Sequence, residues 1–210
     1  MSIKPRGGFF VTIEGIEGAG KSTLAEALRQ RLISNNREVV LTREPGGGQI
    51  GDLIRDLLLD SGKQMSDRAE LLLFEAARAQ HVDEVIAPAL GRGAVVICDR
   101  FADSSIAYQG HARGIDAGTI TCLNDFATRG LKPNLTIVLD LPADAGLARQ
   151  RSLDRISSEG LAFHESVREG YLAIARAEPD RVVVVDAAKS FEDVLGLTLH
   201  AIVAAGLEVG

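Results

Sequence analysis

The amino-acid sequence predicts an α/β fold, a doubly wound sheet of five parallel strands with helices on both faces. Its strand-like segments are continuous runs of Val, Ile, Leu and Phe, which is typical of parallel strands that are buried on both faces. Segments with helical spacing of apolar residues separate these runs, so that strand and helix alternate along the chain. The sequence contains no repeat and no linker-like segment, and we expect residues 1–210 to form one domain.

Each predicted element has a recognisable pattern. Apolar and β-branched runs predict strands at residues 9–13, 38–42, 94–98, 135–139 and 181–185. Amphipathic spacing predicts helices at residues 24–32, 50–58, 66–87, 103–110, 116–128, 143–151, 158–177 and 191–204. Ser66 is an expected N-cap, whereas Gly91 and Gly130 follow predicted helix ends. In such a sheet, ligands bind at the carboxyl ends of the strands, so residues that follow strands are the first candidates for a site.

The stretch after the first strand, residues 15–22, matches the pattern G-x-x-x-x-G-K-[S/T] of a phosphate-binding loop, or P-loop. It lies between a predicted strand and a predicted helix, the context that this motif needs. Glycines let backbone N–H groups converge on an anion, the helix N-terminus adds its dipole, and Lys21 adds a positive charge. We therefore expect the chain to bind a nucleoside triphosphate, with the Ser22 hydroxyl on a phosphate-bound Mg²⁺. The expected contacts are Gly15, Ile16, Glu17, Gly18, Ala19, Gly20, Lys21, Ser22 and Thr23.

Two further patterns indicate a second site. Asp99 and Arg100 follow the third strand, where a carboxylate can order Mg²⁺ and an arginine can clamp a phosphate; a structural ion pair is the alternative. Glu70, Phe74 and Arg78 share one face of the long helix. An aromatic ring and an arginine one turn apart can bind a base, although Phe74 could also be core and Arg78 a solvated cation.

Composition argues against several classes of protein. The formal net charge is −6, which does not favour nucleic acid as a partner. No apolar stretch reaches the roughly 18 residues of a membrane span, so we expect no membrane partner. Cys98 and Cys122 lack metal-ligand spacing, and Cys98 is an expected buried thiol. Because no secretory signal precedes the first strand, we expect a cytoplasmic location.

Four segments give the sequence a resemblance to thymidylate kinases, which phosphorylate dTMP with ATP. They are EGIEGAGKST at 14–23, TREPGG at 42–47, LLLFEAARAQ at 71–80 and DRFADSSIAYQG at 99–110. LDRI at 153–156 is similar to the family's lid, and the resemblance extends from residue 9 to about residue 200. It implies a nucleoside monophosphate kinase type of fold with a short lid at about residues 148–159. It also implies a homodimer that converts dTMP to dTDP with ATP and Mg²⁺ in dTTP biosynthesis.

The resemblance implies a role for each matching residue. Phe74 would stack on the thymine ring and Arg78 would hydrogen-bond its edge. Arg55 and Arg100 would hold the acceptor phosphate, and Glu17 would reach the sugar hydroxyl or the metal shell. Asp99 would assist Ser22 at the metal, partly through water. The acceptor pocket would be completed by Pro45, Ser104, Ser105, Tyr108 and Gln109.

Phosphoryl transfer also needs positive charge at the transferring group. Lys21 and Arg100 are expected to supply part of it. The variable P-loop positions 16–19 contain no basic residue, and the sequence resembles thymidylate kinases that supply a cation from the lid. Arg149, Arg151 and Arg155 are the candidates, with Arg151 and Arg155 slightly favoured by helical spacing. The short lid leaves the choice among the three open.

The sequence also bears on other functions. A GTP-binding switch needs Asn-Lys-x-Asp after a strand, and neither residues 132–135 (KPNL) nor residues 186–189 (DAAK) fit. A sister kinase that acts on dUMP, UMP or dCMP remains open. A relative that binds nucleotide without turnover is disfavoured, because Lys21, Ser22, Asp99 and Arg100 are all present.

Overall fold

A computed structural model describes residues 7–33, 37–150 and 154–209. Within these ranges one sheet of five parallel strands has the order β2-β3-β1-β4-β5. The strands are β1 (Phe9–Glu14), β2 (Val39–Arg43), β3 (Val95–Asp99), β4 (Leu135–Asp140) and β5 (Val182–Asp186). Each lies within one residue of its predicted bounds, and the predicted α/β fold with a parallel sheet is confirmed.

Helices separate the strands, as the alternating pattern predicts. They are α1 (Lys21–Ile33), α2 (Gln49–Leu59), α3 (Asp67–His81), α4 (Ala87–Gly91), α5 (Ala102–Ser105), α6 (Ala117–Thr128), α7 (Ala143–Ala148), α8 (Leu161–Ala177) and α9 (Phe191–Ala204). Two π-helical segments, Val82–Ile86 and Ile106–Ala112, lie between α3 and α4 and after α5. The predicted helix over 66–87 is therefore two α-helices joined by a π-helical segment, and its Ser66 cap is confirmed by a hydrogen bond from the Ala69 N–H.

Both faces of the sheet are covered by apolar side chains from helices. On β1, Val11 and Ile13 belong to one cluster with Leu24 and Leu28 of α1, whereas Phe10 belongs to another that contains Val82. Each of these side chains is almost fully buried, and burial of such a side chain contributes about 1.5–3 kcal/mol. Burial on both sides explains why the strand sequences are continuous apolar runs. None of the helices in the described ranges is long and apolar enough to cross a membrane.

The connections place a crevice between β1 and β3. These strands are neighbours, yet the chain leaves β1 toward β2 on one side and leaves β3 toward β4 on the other. Ligands of open α/β sheets bind where connections diverge in this way. The P-loop follows β1 and Arg100 follows β3, where the Arg100 N–H donates to the Ile13 carbonyl at 3.0 Å. The fold therefore brings the two sequence motifs to one edge of the sheet.

Candidate active site

The P-loop is a tight turn that requires glycine at specific positions. Gly18 has φ of +74°, and a Cβ there would lie 2.1 Å from the Gly146 carbonyl oxygen. Lys21 begins α1, is buried, and donates from Nζ to the Ile16 carbonyl at 2.7 Å. Burial, together with the Arg100 guanidinium, lowers the pKa of Lys21 to about 8. A phosphate at this loop would meet a cation that is held in place by the backbone.

The oxygens expected to face Mg²⁺ are already adjacent. The Ser22 hydroxyl donates to Asp99 Oδ2 at 2.5 Å, which joins the start of α1 to the end of β3. No cluster of three or more His, Cys, Asp or Glu side chains among the described residues could hold a metal by itself. Mg²⁺ commonly takes only one or two protein oxygens and completes its shell with phosphates and water. The donor set of Ser22 and Asp99 therefore fits Mg²⁺ that arrives with a nucleotide.

A cavity of about 490 Å³ opens beside the P-loop, a size that suits a small-molecule ligand. From the P-loop, the start of α1 and the end of β3 it is lined by Glu17, Gly18, Lys21, Ser22 and Asp99. From other segments it is lined by Pro45, Arg55, Phe74, Ser104, Ser105 and Gln109. Arg100, Tyr108 and Arg149 also line it. The remaining P-loop positions expected to bind the triphosphate do not line this cavity, and the Ile16 and Ala19 side chains are buried in the core.

Glu17 joins the P-loop to side chains from other segments that line the cavity. Its Oε1 atom accepts hydrogen bonds from Arg100 Nη2 and from the Tyr108 hydroxyl, both at 2.7 Å. His164 Nδ1 lies 3.1 Å from the other oxygen, Oε2. Burial alone would raise the pKa of Glu17, but Arg100, His164 and Lys21 hold it well below its usual value. The lining of the cavity therefore includes an ionised carboxylate that accepts hydrogen bonds.

Arg100 has an unusual backbone conformation. Its φ of +71° lies in the left-handed region, which L-residues rarely adopt and which costs of order 1 kcal/mol. This conformation accompanies a side chain that donates to the Gly15 carbonyl and to the Tyr171 hydroxyl, at 2.9 and 3.0 Å. The guanidinium also lies over the Tyr108 ring, with its centre 5.0 Å from the ring centroid. Arg100 is thus fixed between the P-loop and the wall of the cavity.

Comparison with known proteins identifies the family. The thymidylate kinase family model matches residues 13–196. This chain belongs to the thymidylate kinase family. It is 54% identical over 186 residues to the thymidylate kinase of Pseudomonas fluorescens strain SBW25, which covers 87% of this chain and 89% of that protein. The thymidylate kinase of Syntrophotalea carbinolica is 49% identical over 197 residues, covering 89% and 91% of the two chains.

The fold is also similar to a solved thymidylate kinase. The crystal structure of the enzyme from Ehrlichia chaffeensis matches with a TM-score of 0.78 and 34% identity, covering 93% of this chain and 99% of that one. The predicted family is confirmed, and a GTP-binding switch is set aside.

Phe74 and Arg78, one turn apart in the thymidylate kinase motif on α3, lie in different surroundings. Phe74 is partly buried and lines the cavity. Arg78 is buried behind the cavity wall, so it is not a solvated cation. Its guanidinium donates to Glu44, Glu75, Ser105, Asn124 and the Phe101 carbonyl. Nη2 makes a single hydrogen bond among these, at 3.1 Å, so its second N–H is not used by any of them. The base-edge role of Arg78 stays a prediction.

Of the other basic residues expected at phosphates, two line the cavity and one does not. Arg55 lines the cavity and donates to the Pro45 carbonyl at 2.9 Å, and burial together with Arg43 lowers its pKa. Arg149 lines the cavity from the lid. Arg155 instead pairs with Glu70 at 2.7 Å, and Arg151 lies outside the described residues.

Three residues of the site were missed by sequence reasoning. Glu14, at the end of β1, accepts from the Phe101 N–H, the Ser104 hydroxyl and the Tyr171 hydroxyl. His164 and Tyr171 are buried on α8 beneath the cavity. The two lie seven positions apart, so they share a helix face, and a His and a Tyr on an otherwise apolar face could have indicated them.

Proposed function

We propose that this chain converts dTMP to dTDP by transferring the γ-phosphoryl group of ATP to the dTMP phosphate. One observation carries the proposal: the P-loop and the acceptor-side residues line the same cavity, with Glu17 and Arg100 between them. Two nucleotides that share one cavity can bring a phosphate oxygen of one into line with the terminal phosphorus of the other. In a cytoplasmic setting, which we also propose, the reaction would contribute to dTTP biosynthesis.

The donor nucleotide would be held by the P-loop. Backbone N–H groups of residues 15–23 and the dipole of α1 would bind its phosphates, and Lys21 would pair with the terminal ones. Ser22 and Asp99 would hold Mg²⁺, which neutralises phosphate charge when it is bound. The hydrogen bond between these two residues supports this assignment, because it holds both oxygens close enough to bind the same ion.

The acceptor would lie at the opposite end of the cavity. Phe74 would stack on the thymine ring and Arg78 would donate to its edge, while Glu17 would accept from the sugar hydroxyl. Arg55 and Arg100 would bind the acceptor phosphate as charged forks. The walls around base and sugar would be Pro45, Ser104, Ser105, Tyr108 and Gln109. Tyr108 would lie against the sugar and disfavour a 2′-hydroxyl.

Transfer breaks the bond between the γ-phosphorus and its bridging oxygen and forms a bond to an oxygen of the dTMP phosphate. The charge that develops on the transferring group would be met by Lys21, Arg100 and a lid arginine. The position of Arg149 in the cavity lining supports Arg149 as this lid arginine. Arg151 is a second candidate because it stands in the lid segment of the sequence.

A panel of acceptors tests the substrate. The purified chain should phosphorylate dTMP with a higher kcat/KM than dUMP, UMP or dCMP, measured by ADP release and by detection of the diphosphate product. Lys21→Ala should abolish turnover with every acceptor. A better acceptor than dTMP would overturn the substrate but keep the reaction class. Binding of both nucleotides without any turnover would indicate a degenerate relative.

We further propose that the chain acts as a homodimer. Leu72 on α3 and Phe126 on α6 are 56% and 82% exposed, and these two helices pack side by side. A second copy of this apolar face would remove both side chains from water. Light scattering should give the mass of a dimer, and Phe126→Asp should give a monomer. Val203→Asp, at an exposed position on α9, is the matched control. A monomeric wild type would exclude the dimer.

A further inference from the structure

The side chain of Arg155 does not line the cavity, although the side chains of the adjacent lid residues do. Asp154, Ile156 and Ser157 all line the cavity, whereas the Arg155 side chain runs to α2 and α3. Its Nη1 atom lies 2.7 Å from Glu70 Oε2, and the two side chains are only 12% and 2% exposed. A pair this well buried is screened little by solvent, so it holds Arg155 on α3.

The same arginine also binds the end of α2. Its Nε atom donates to the Leu58 carbonyl at 2.8 Å, and its backbone N–H donates to the Leu59 carbonyl at 3.2 Å. These are carbonyls of the last turn of α2, which ends at Leu59 and has no intrahelical donors for them. A cation at a helix C-terminus is further stabilised by the helix dipole. Arg155 thus joins the lid to two helices at once.

Glu70 links Arg155 to the lining of the cavity through a second hydrogen bond. Its Oε1 atom accepts from Gln109 Nε2 at 2.8 Å, and Gln109 lines the cavity. Arg113 bridges Glu70 and the lid residue Glu159, at 3.3 and 2.6 Å. Burial would raise the pKa of Glu70, but Gln109, Arg155 and Arg113 keep it below its usual value. One ionised carboxylate therefore holds a lid arginine and a cavity-lining amide.

We propose that Arg155 is a positioning residue of the acceptor pocket and is not the cation that meets the transferring phosphate. This inference rests on the proposed function. Arg155 fixes Glu70, Glu70 fixes Gln109, and the α2 end that Arg155 binds belongs to the helix that carries Arg55. Of the guanidinium nitrogens of Arg155, Nη2 has no hydrogen-bond partner among the described residues, and it is itself buried. A phosphate could reach this side chain only after it had left Glu70.

The test separates acceptor binding from the chemical step. Arg155→Ala should weaken dTMP binding about tenfold in calorimetry without ATP, the effect of one lost charged hydrogen bond. The KM for dTMP should rise by a similar factor, while kcat and the KM for ATP stay within about threefold of wild type. Arg155→Lys keeps a cation for Glu70 and should lose less dTMP affinity. Arg176→Ala, at an exposed arginine on α8, is the matched control.

A double variant tests the route through Glu70. If Arg155 acts through this carboxylate, Arg155→Ala combined with Glu70→Gln should weaken dTMP binding by less than the product of the single effects. A large loss of kcat with unchanged dTMP affinity, in Arg155→Ala or in Arg155→Lys should the alanine variant not fold, would overturn the inference and return Arg155 to the phosphates. A wild-type chain that neither binds nor phosphorylates dTMP would instead overturn the proposed function and this inference with it.

Discussion

Arg100 Nη2 lies 2.7 Å from Glu17 Oε1, and this ion pair joins the P-loop to the end of β3. A phosphate cradle does not require a carboxylate inside the loop, so Glu17 serves another purpose. It holds Arg100 and Tyr108 in the cavity and leaves its second oxygen beside His164. These contacts are therefore in place without a bound nucleotide, and groups that are already positioned need little reorganisation during a reaction.

Glu17→Gln should impair the acceptor side selectively. The amide cannot balance the charge of Arg100, and it weakens two hydrogen bonds of a partly buried network. A charged hydrogen bond contributes about 1.5–3 kcal/mol, so kcat/KM for dTMP should fall about 10- to 100-fold. The KM for ATP should change little. Steady-state kinetics with Glu169→Gln, an exposed position on α8, as control checks this. An effect on the KM for ATP alone would assign Glu17 to the donor.

The fold and the P-loop could be predicted because their signals are local. A continuous apolar run predicts a buried strand, and the loop motif is complete within residues 15–22. Where a helix departs from α-geometry, as in Val82–Ile86, an extra residue is accommodated without a change in the apolar pattern. Periodicity therefore predicts one long helix where the structure has three segments.

The network around the site could not be predicted, since it depends on residues far apart in the chain. Tyr171 and Glu14 meet across 157 positions, and Arg155, which lies in a turn, pairs with Glu70 on α3. Motif spacing identifies Arg78 but does not show that five protein groups surround its guanidinium. These contacts follow from how helices pack on the sheet, which a residue pattern along the chain does not specify.

The lid arginines should separate by their effect on kcat. Removal of the arginine that meets the transferring phosphate should lower kcat about 10³-fold, by analogy with arginine fingers, and leave dTMP affinity nearly unchanged. We expect this result for Arg149→Ala, for Arg151→Ala or for both. Single-turnover rates and dTMP titration of each variant, beside Arg176→Ala, provide the measurement. Unchanged kcat in both variants would show that neither Arg149 nor Arg151 takes part in the chemical step.

ATP binding should take up a proton near pH 8. The pKa of Lys21 is lowered to about 8 by burial and by Arg100, so the free site loses its lysine charge as the pH rises through this value. Bound phosphates favour the charged form, and ATP affinity should fall up to tenfold for each pH unit above 8. Calorimetry at pH 8.5 in two buffers of different ionisation enthalpy measures the uptake. Lys132→Ala, at an exposed lysine, should retain the pH dependence, whereas a pH-independent affinity in the wild type would contradict the prediction.

Glu14 should make the fold less stable as the pH rises from about 4.5 to about 7. Burial, and the neighbouring Asp103 carboxylate, raise the pKa of Glu14 from its ordinary 4.5 to about 7. Between these values the unfolded chain releases the proton and the folded chain retains it. The stabilisation is thus present below about pH 4.5 and is lost as the pH rises to about 7, and it amounts to about 3 kcal/mol. Urea unfolding as a function of pH measures it.

Glu14→Gln isolates this contribution because glutamine imitates the protonated carboxyl. Its oxygen can still accept from the Phe101 N–H, and its amide can donate to the hydroxyls of Ser104 and Tyr171. The free energy of unfolding of the variant should therefore change less between pH 5 and pH 7 than that of the wild type. Glu192→Gln, at an exposed position on α9, should follow the wild-type curve. Parallel curves for Glu14→Gln and the wild type would mean that Glu14 is ionised in the folded chain over this range.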